Sequence, residues 1–200
     1  VDEIAAKDAI RSGLRAARRE LEPAARQAQM DAAGAHLIDW LDKNAVHRTV
    51  TAFLSYGAEP PTGKLLTALH ARGYRVLVPI CEPERRLSWA AWYPGIDMAR
   101  CAVAPIDEPV GPRFDASVMP LVDAVLVPAQ AVDSNGDRLG QGGGYYDRFI
   151  ASLDAAASRP ALLAVVYEHE LVEPGSFPVQ EFDRRVDAVF TAAGRRTFGV

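Results

Sequence analysis

The stretch Asp123-Ala-Val-Leu-Val-Pro128 sets four consecutive apolar residues between an acid and a proline. No polar residue alternates with them, so neither face of the predicted strand is intended for water. Strands of that kind belong to parallel sheets covered on both sides, whereas half-solvated antiparallel strands alternate. Residues 49–54, 74–78, 161–167 and 186–191 read the same way. Helical segments separate them. Residues 62–72 carry Thr62 as a candidate N-cap and Gly73 at the far end, and a helix over 145–157 follows a glycine-rich run. Upstream, residues 3–22 show Ile10, Leu14 and Leu21 on one helical face. Pro23 interrupts them, and an Ala-rich helix covers 24–41. Residues 87–93 read as a strand or half-hairpin, 98–114 as Pro-rich and irregular, and 133–137 as a turn. The expectation is one α/β domain over residues 1–200, a mostly parallel sheet with helices on both faces. Ligands bind such sheets beyond the carboxyl ends of the strands. The loops after Leu54, Val78 and Val127 are therefore the places to search.

Composition agrees with a folded globular chain. Of 200 residues, 49% are hydrophobic and 24% charged, with a mean hydropathy of −0.04. Disorder requires lower hydrophobicity and higher net charge. A net charge of −4 and a pI near 5.6 give no basic footprint for nucleic acid. They leave room for a local anion site. Cys81 and Cys101 make no disulfide framework and have no zinc spacing, which fits two half-buried thiols in a reducing compartment. The histidines at 36, 47, 70 and 169 have no metal spacing either. The first twenty residues are charged throughout, and no long apolar run follows. A soluble, cytoplasmic protein is expected, without nucleic-acid or membrane partners.

The chemistry concentrates in Gly136-Asp-Arg-Leu-Gly-Gln-Gly-Gly-Gly-Tyr-Tyr-Asp-Arg148. Glycines at 140, 142, 143 and 144 precede a helix start. Glycine admits positive φ and close approach to the main chain. A row of N–H groups beside a helix N-terminus cradles anions. This is no P-loop, because no Lys-Ser/Thr follows. It is no dinucleotide fingerprint either, because eleven residues separate Pro128 from Gly140. Asp147, in the first turn, suits either the helix dipole or a Mg²⁺ ion held against phosphate. Arg138 suits either phosphate oxygens or a pair with Asp137. On the first helix Lys7, Arg11, Arg15 and Arg18 share one arc beside the apolar stripe. Cations that border a buried face are partly covered and need anions. Lys7 and Arg11 are candidates to reach a polyphosphate.

The run RLGQGGGYYDR resembles the signature of the 5-formyltetrahydrofolate cyclo-ligase family. The likeness extends to the Lys7-x-x-x-Arg11 start, to Leu54-Ser-Tyr-Gly-Ala-Glu59, to Val125-Leu-Val-Pro128 and to Val186-Asp187-Ala-Val. It implies an ATP- and Mg²⁺-dependent closure of 5-formyltetrahydrofolate to 5,10-methenyltetrahydrofolate. The expected partners are these small-molecule substrates, and the expected state is a monomer. By position it implies ATP contacts at Lys7, Arg11, Arg138, Leu139, Gly140, Gln141, Gly142, Gly143, Gly144, Tyr145 and Tyr146. Folate contacts fall at Leu54, Glu59 and residues 141–145, catalytic contacts at Arg138 and Tyr145, and magnesium carboxylates at Asp147 and Asp187. Glu59 suits pterin N–H groups or plain solvent. Trp89 and Trp92 suit a pterin wall or the core.

The chain departs from the family pattern in several places. Gly143 stands where some members carry lysine, so charge on a transferring phosphate must be met elsewhere. Pro105-Ile-Asp-Glu-Pro109, Glu170 and Phe182-Asp183 replace other usual residues. A non-catalytic folate or nucleotide binder on the same scaffold, and a phosphotransfer enzyme for another small amide or phosphosugar, are the alternatives.

Overall fold

The computed structural model describes residues 3–154 and 158–199. Helices α1 (Glu3–Glu20) and α2 (Pro23–Asn44) come first, and Pro23 occupies the opening turn of α2, where a missing N–H costs nothing. There follow β1 (Thr49–Thr51), α3 (Gly63–Ala71), β2 (Arg75–Glu82), β3 (Arg86–Trp92), β4 (Met98–Arg100), β5 (Asp107–Pro109) and β6 (Arg113–Phe114). The second half holds β7 (Ala124–Val127), β8 (Ala131–Asp133), β9 (Arg138–Leu139), α4 (Tyr145–Leu153), β10 (Ala161–Val165), β11 (Leu171–Val172), β12 (Ala188–Thr191) and β13 (Gly194–Thr197). The predicted helix over 145–157 ends at Leu153 among the described residues, and 155–157 lie outside them.

Eight strands form the main sheet in the order β13-β12-β10-β7-β1-β2-β3-β6. The five from β12 to β2 are parallel, and the pairings at both edges are antiparallel. The unalternating apolar runs serve both faces. Ala124 and Leu126 pack with α2 and α3 through Leu37, Leu41 and Leu66. Val125 and Val127 pack on the opposite face with Phe149, Ile150 and Leu153 of α4. Each run thus supplies two cores by the period-two alternation of a strand.

Three expectations need correction. Strand β2 does not stop before Pro79 but runs to Glu82, paired with β3. On its other side β1 reaches only Leu77, so the missing proline N–H interrupts no ladder. The segment 98–114 is not wholly irregular, because β4 pairs with β5 and β6 joins β3. Strand β13 was not expected at all. Its Gly-Arg-Arg-Thr sequence is mostly exposed and carries no apolar pattern.

Two features position a site. After β1 and β2 the chain moves to the other side of β1 for β7, β10 and β12, which opens a crevice between the carboxyl ends of β1 and β7. A small sheet, β11-β8-β9, stands beyond that crevice. Ile10 and Leu14 of α1 pack on it against Ala131, Leu139 and Phe177, leaving the basic arc of α1 beside the opening.

Candidate active site

A cavity of about 1320 Å³ fills the crevice. Pockets for one small ligand measure about 300–1,000 Å³, so this one has room for two substrates. Nine Lys and Arg residues line it against four Asp and Glu, in a chain whose net charge is −4. Such a lining suits a multiply charged anion.

The glycine run connects β9 to α4 along one wall. Gly144 caps α4 in the left-handed conformation, φ +71°, so the first N–H groups of the helix stay open toward the cavity. At Gly140 the constraint is steric, since a Cβ there would lie 2.6 Å from Nη1 of Arg138. Gly142 and Gly143 are exposed on the same wall. Leu139 is buried and faces the small core, which leaves only its backbone for a ligand.

Arg138 is buried. Its Nη2 donates to Oδ1 of Asp147 at 2.5 Å, its Nη1 donates to the Pro128 carbonyl at 3.0 Å, and its Nε has no partner. It does not pair with Asp137, which takes Arg185 at 2.8 and 3.0 Å instead. Neighbours on a strand point to opposite faces. Asp147 also accepts the Arg184 amide at 3.1 Å on the same oxygen. Its Oδ2 has no hydrogen-bond donor among the described residues and borders the cavity.

The covered cations of α1 do meet anions. Lys7 donates to Asp183, and to Gln180 at 3.1 Å. Arg11 donates to the Gly140 carbonyl at 2.9 Å and to Asp8 at 2.7 Å, which ties α1 to the glycine run. Arg18 is sunk against Glu170 at 2.5 and 3.2 Å and donates to the Ala129 carbonyl at 2.7 Å.

A polar chain closes the other side. Gln130 donates to Gln141 at 2.5 Å, and Gln141 donates to Oε1 of Glu59, also at 2.5 Å. The Tyr56 amide donates to Oε2 of Glu59 at 2.8 Å. Burial pushes the Glu59 carboxyl above the usual range, against these bonds and the pull of Arg18. Glu59 is therefore no freely solvated loop acid. Leu54 supplies apolar wall next to it. Tyr145 borders the cavity, while the Tyr146 hydroxyl is buried without a partner and its ring packs on Trp89 and Phe149. Burial raises both phenols above the usual tyrosine range. Cys81 also lines the wall, its thiol pushed up to about 12 by burial, so it is no nucleophile at neutral pH.

One expectation fails on position, and one open alternative resolves to the core. Asp187 does not meet Asp147. It precedes β12, at the amino end of the parallel strands, where its carboxylate accepts from Arg159 at 2.7 and 2.8 Å and from the Leu162 amide at 2.8 Å. Trp89 is fully buried on one face of the sheet and Trp92 packs on the other, and neither lines the cavity. Sequence reasoning also missed Gln130, Arg85, Asp183 and Arg184. For Asp183 a signal existed, since a covered Lys7 demands an acid. For Arg85, on an exposed hairpin, none did.

A family model described as the 5-formyltetrahydrofolate cyclo-ligase family matches residues 3–192. The chain belongs to that family. A 5-formyltetrahydrofolate cyclo-ligase of Mycolicibacterium smegmatis is 34% identical over 191 residues, covering 92% of this chain and 93% of its own. That of Escherichia coli is 29% identical over 180 residues, covering 89% and 96%. Two solved structures share the fold. The 5,10-methenyltetrahydrofolate synthetase of Aquifex aeolicus matches with a TM-score of 0.76 at 23% identity, covering 97% of this chain and 93% of its own. The synthetase of Mycoplasma pneumoniae matches with a TM-score of 0.72 at 16% identity, covering 93% and 98%. This cyclo-ligase family member is an enzyme, and the glycine run that carries the resemblance lines the crevice cavity. No helix among the described residues is long and apolar enough to cross a membrane.

Proposed function

We propose that the chain closes 5-formyltetrahydrofolate to 5,10-methenyltetrahydrofolate at the expense of ATP, releasing ADP and phosphate. The observation that carries this is the two-sided cavity. A cation-rich wall with open helix amides faces a polar edge formed by Glu59 and Gln141 beside apolar Leu54. One side suits a triphosphate, the other a flat ring with N–H donors.

A formamide carbonyl is a weak electrophile, and its oxygen leaves poorly. In the proposed reaction that oxygen attacks the γ-phosphorus and ADP departs with the bond's electron pair. N10 then attacks the activated carbon, loses its proton, and phosphate carries the oxygen away. The protein's work is positioning and charge neutralisation. Lys7, Arg11 and the amides of residues 140–144 would hold the polyphosphate. Arg138 would place its charge behind the phosphates and hold Asp147 in position, and Tyr145 would border the reacting groups. Glu59, ionised on binding, would accept pterin N–H groups, with Gln141 fixing its orientation.

Magnesium fits this donor set. The ion takes one or two carboxylates and fills its shell with phosphate oxygens and water, and Asp147 offers one free carboxylate oxygen beside the phosphate wall. Asp187, at the other end of the sheet, has no part in this reading. When bound, the ion would offset phosphate charge during transfer.

The test mixes protein, ATP, Mg²⁺ and 5-formyltetrahydrofolate and follows the near-ultraviolet band of the methenyl product. Product that requires both ATP and folate is expected. Tight folate binding by folded protein with no product would refute the reading in favour of a binder. In Asp147→Asn, the Mg²⁺ concentration needed for nucleotide binding should rise roughly tenfold or more. An unchanged Mg²⁺ titration would make Asp147 a helix-capping residue alone.

A further inference from the structure

We infer that Arg85 is a catalytic residue of this cyclo-ligase, contacting the phosphoryl group as it passes from ATP to the formyl oxygen. This rests on the ATP-dependent reading above. The residue sits in a three-residue hairpin, Pro83-Glu-Arg85, between β2 and β3, where Glu82 pairs with Arg86. Glu84 and Arg85 both lie in the left-handed region, at φ +62° and +57°. Hairpins of this length ordinarily place glycine at such a position. Backbone strain of this kind clusters at active sites and ligand clamps.

The side chain this backbone presents is free. Arg86, its neighbour, stands 3.9 Å from Glu84, and Arg113 holds Glu82 at 2.7 Å. Among the described residues, no carboxylate lies within 4.0 Å of Arg85. Its guanidinium instead reaches the glycine run, with Nη1 3.7 Å from where a Cβ of Gly144 would stand. Gly144 caps α4, so the open amides of that helix and the guanidinium converge on one stretch of the cavity wall. Two unopposed sources of positive charge meet there. Residues 140–144 contain no cationic side chain of their own, so Arg85 is the side-chain cation next to the end of the run.

In the transfer step the bond from the γ-phosphorus to the bridging oxygen breaks, its electron pair goes to ADP, and a bond to the formyl oxygen forms. Negative charge shifts across the phosphoryl oxygens throughout, which is where a planar, bidentate guanidinium is effective. Contacts of this type act on the transition state more than on bound substrate.

The experiment uses Arg85→Gly, Arg85→Lys and, as control, the adjacent Arg86→Ala, which is outside the cavity lining. Glycine suits the positive φ, so Arg85→Gly removes the side chain without endangering the fold. The expected result is a fall in kcat of about 100-fold, with KM for folate and the thermal midpoint unchanged or the midpoint raised. Lysine should restore part of the loss, and added guanidinium ion should restore part of it in Arg85→Gly, while Arg86→Ala behaves as wild type. Unchanged kcat in Arg85→Gly would overturn the proposal. So would a defect confined to KM for folate, which would assign Arg85 to that substrate's carboxylates. An inactive wild-type protein would instead refute the reaction itself, so the two failures are distinguishable.

Discussion

Glu170→Gln is the substitution that most directly tests how α1 is seated as a wall of the cavity. Glu170 is fully buried, and Arg18 opposite it is 2% exposed. The carboxylate accepts three hydrogen bonds, from Arg18 Nε at 2.5 Å, Arg18 Nη2 at 3.2 Å and the Tyr167 amide at 3.0 Å. Glutamine offers one acceptor oxygen and one amide donor. Whichever way the amide turns, its NH₂ faces a guanidinium N–H, in one orientation the Tyr167 N–H as well, and a buried cation loses its counter-charge. Breaking a buried pair by removing one partner costs about 3–5 kcal/mol. Arg18 keeps the Ala129 carbonyl at 2.7 Å, so the low end, about 3 kcal/mol, is expected. For a chain of this length that lowers the thermal midpoint by roughly 6–12 °C. Urea unfolding should show a reduced midpoint concentration at constant slope. Replacing both partners, Arg18→Met with Glu170→Leu, should recover most of the loss, because well-packed apolar pairs substitute for buried ions at little cost. Lys7 and Arg11 ride on the same helix, so the single variant should also raise KM for ATP. A loss below about 1 kcal/mol, or a double variant no better than the single one, would refute the reasoning.

Two further outcomes follow from the cavity. Gly140→Ala should leave the secondary structure intact by circular dichroism yet cut ATP-dependent turnover roughly 100-fold. The new Cβ would stand 2.6 Å from Arg138 Nη1, which cannot retreat without leaving Asp147 or Pro128; ordinary activity would mean the contact is slack. The second concerns pH. Burial raises the Glu59 carboxyl above 4.5 in the free protein, and the ionised form is the one that accepts pterin N–H groups. Folate affinity, followed by fluorescence quenching, should therefore fall as pH drops through a value above that of an exposed glutamate, with proton release on binding at and below that value. Glu59→Gln should abolish this dependence, and a flat wild-type profile would remove Glu59 from the pterin edge.

The parallel core was legible because strands buried on both faces must be apolar at every position, as in residues 124–127. The edges were not. Strand β13 is held by backbone pairing with β12, and its exposed arginines carry no pattern that distinguishes strand from loop. Pro79 misled for a related reason. Whether a proline ends a strand depends on which neighbour reaches that register, and the short β1 is a property of the assembled sheet. Trp89 and Trp92 point the same way: aromatic content is visible in sequence, but the face each ring occupies is not.

At the site the glycine run was readable because it is local, whereas the fate of each cation was not. The basic arc of α1 looks uniform in sequence. In the structure it divides. Lys7 and Arg18 are buried and matched to acids more than 150 residues away, while Arg15 of the arc, and Arg19 outside it, border the cavity with no carboxylate within 4.0 Å among the described residues. The buried pairs hold α1 in register and offset part of its charge, with Lys7 kept at the cavity wall beside Asp183. The unmatched arginines are exposed and supply the net field that draws an anion in. Salt screens an exposed charge over about 10 Å at 0.1 M but barely reaches a buried one. Ionic strength should therefore weaken nucleotide association through the rim arginines while leaving the helix seated. What looked in the sequence like one patch serves two purposes, and burial alone separates them.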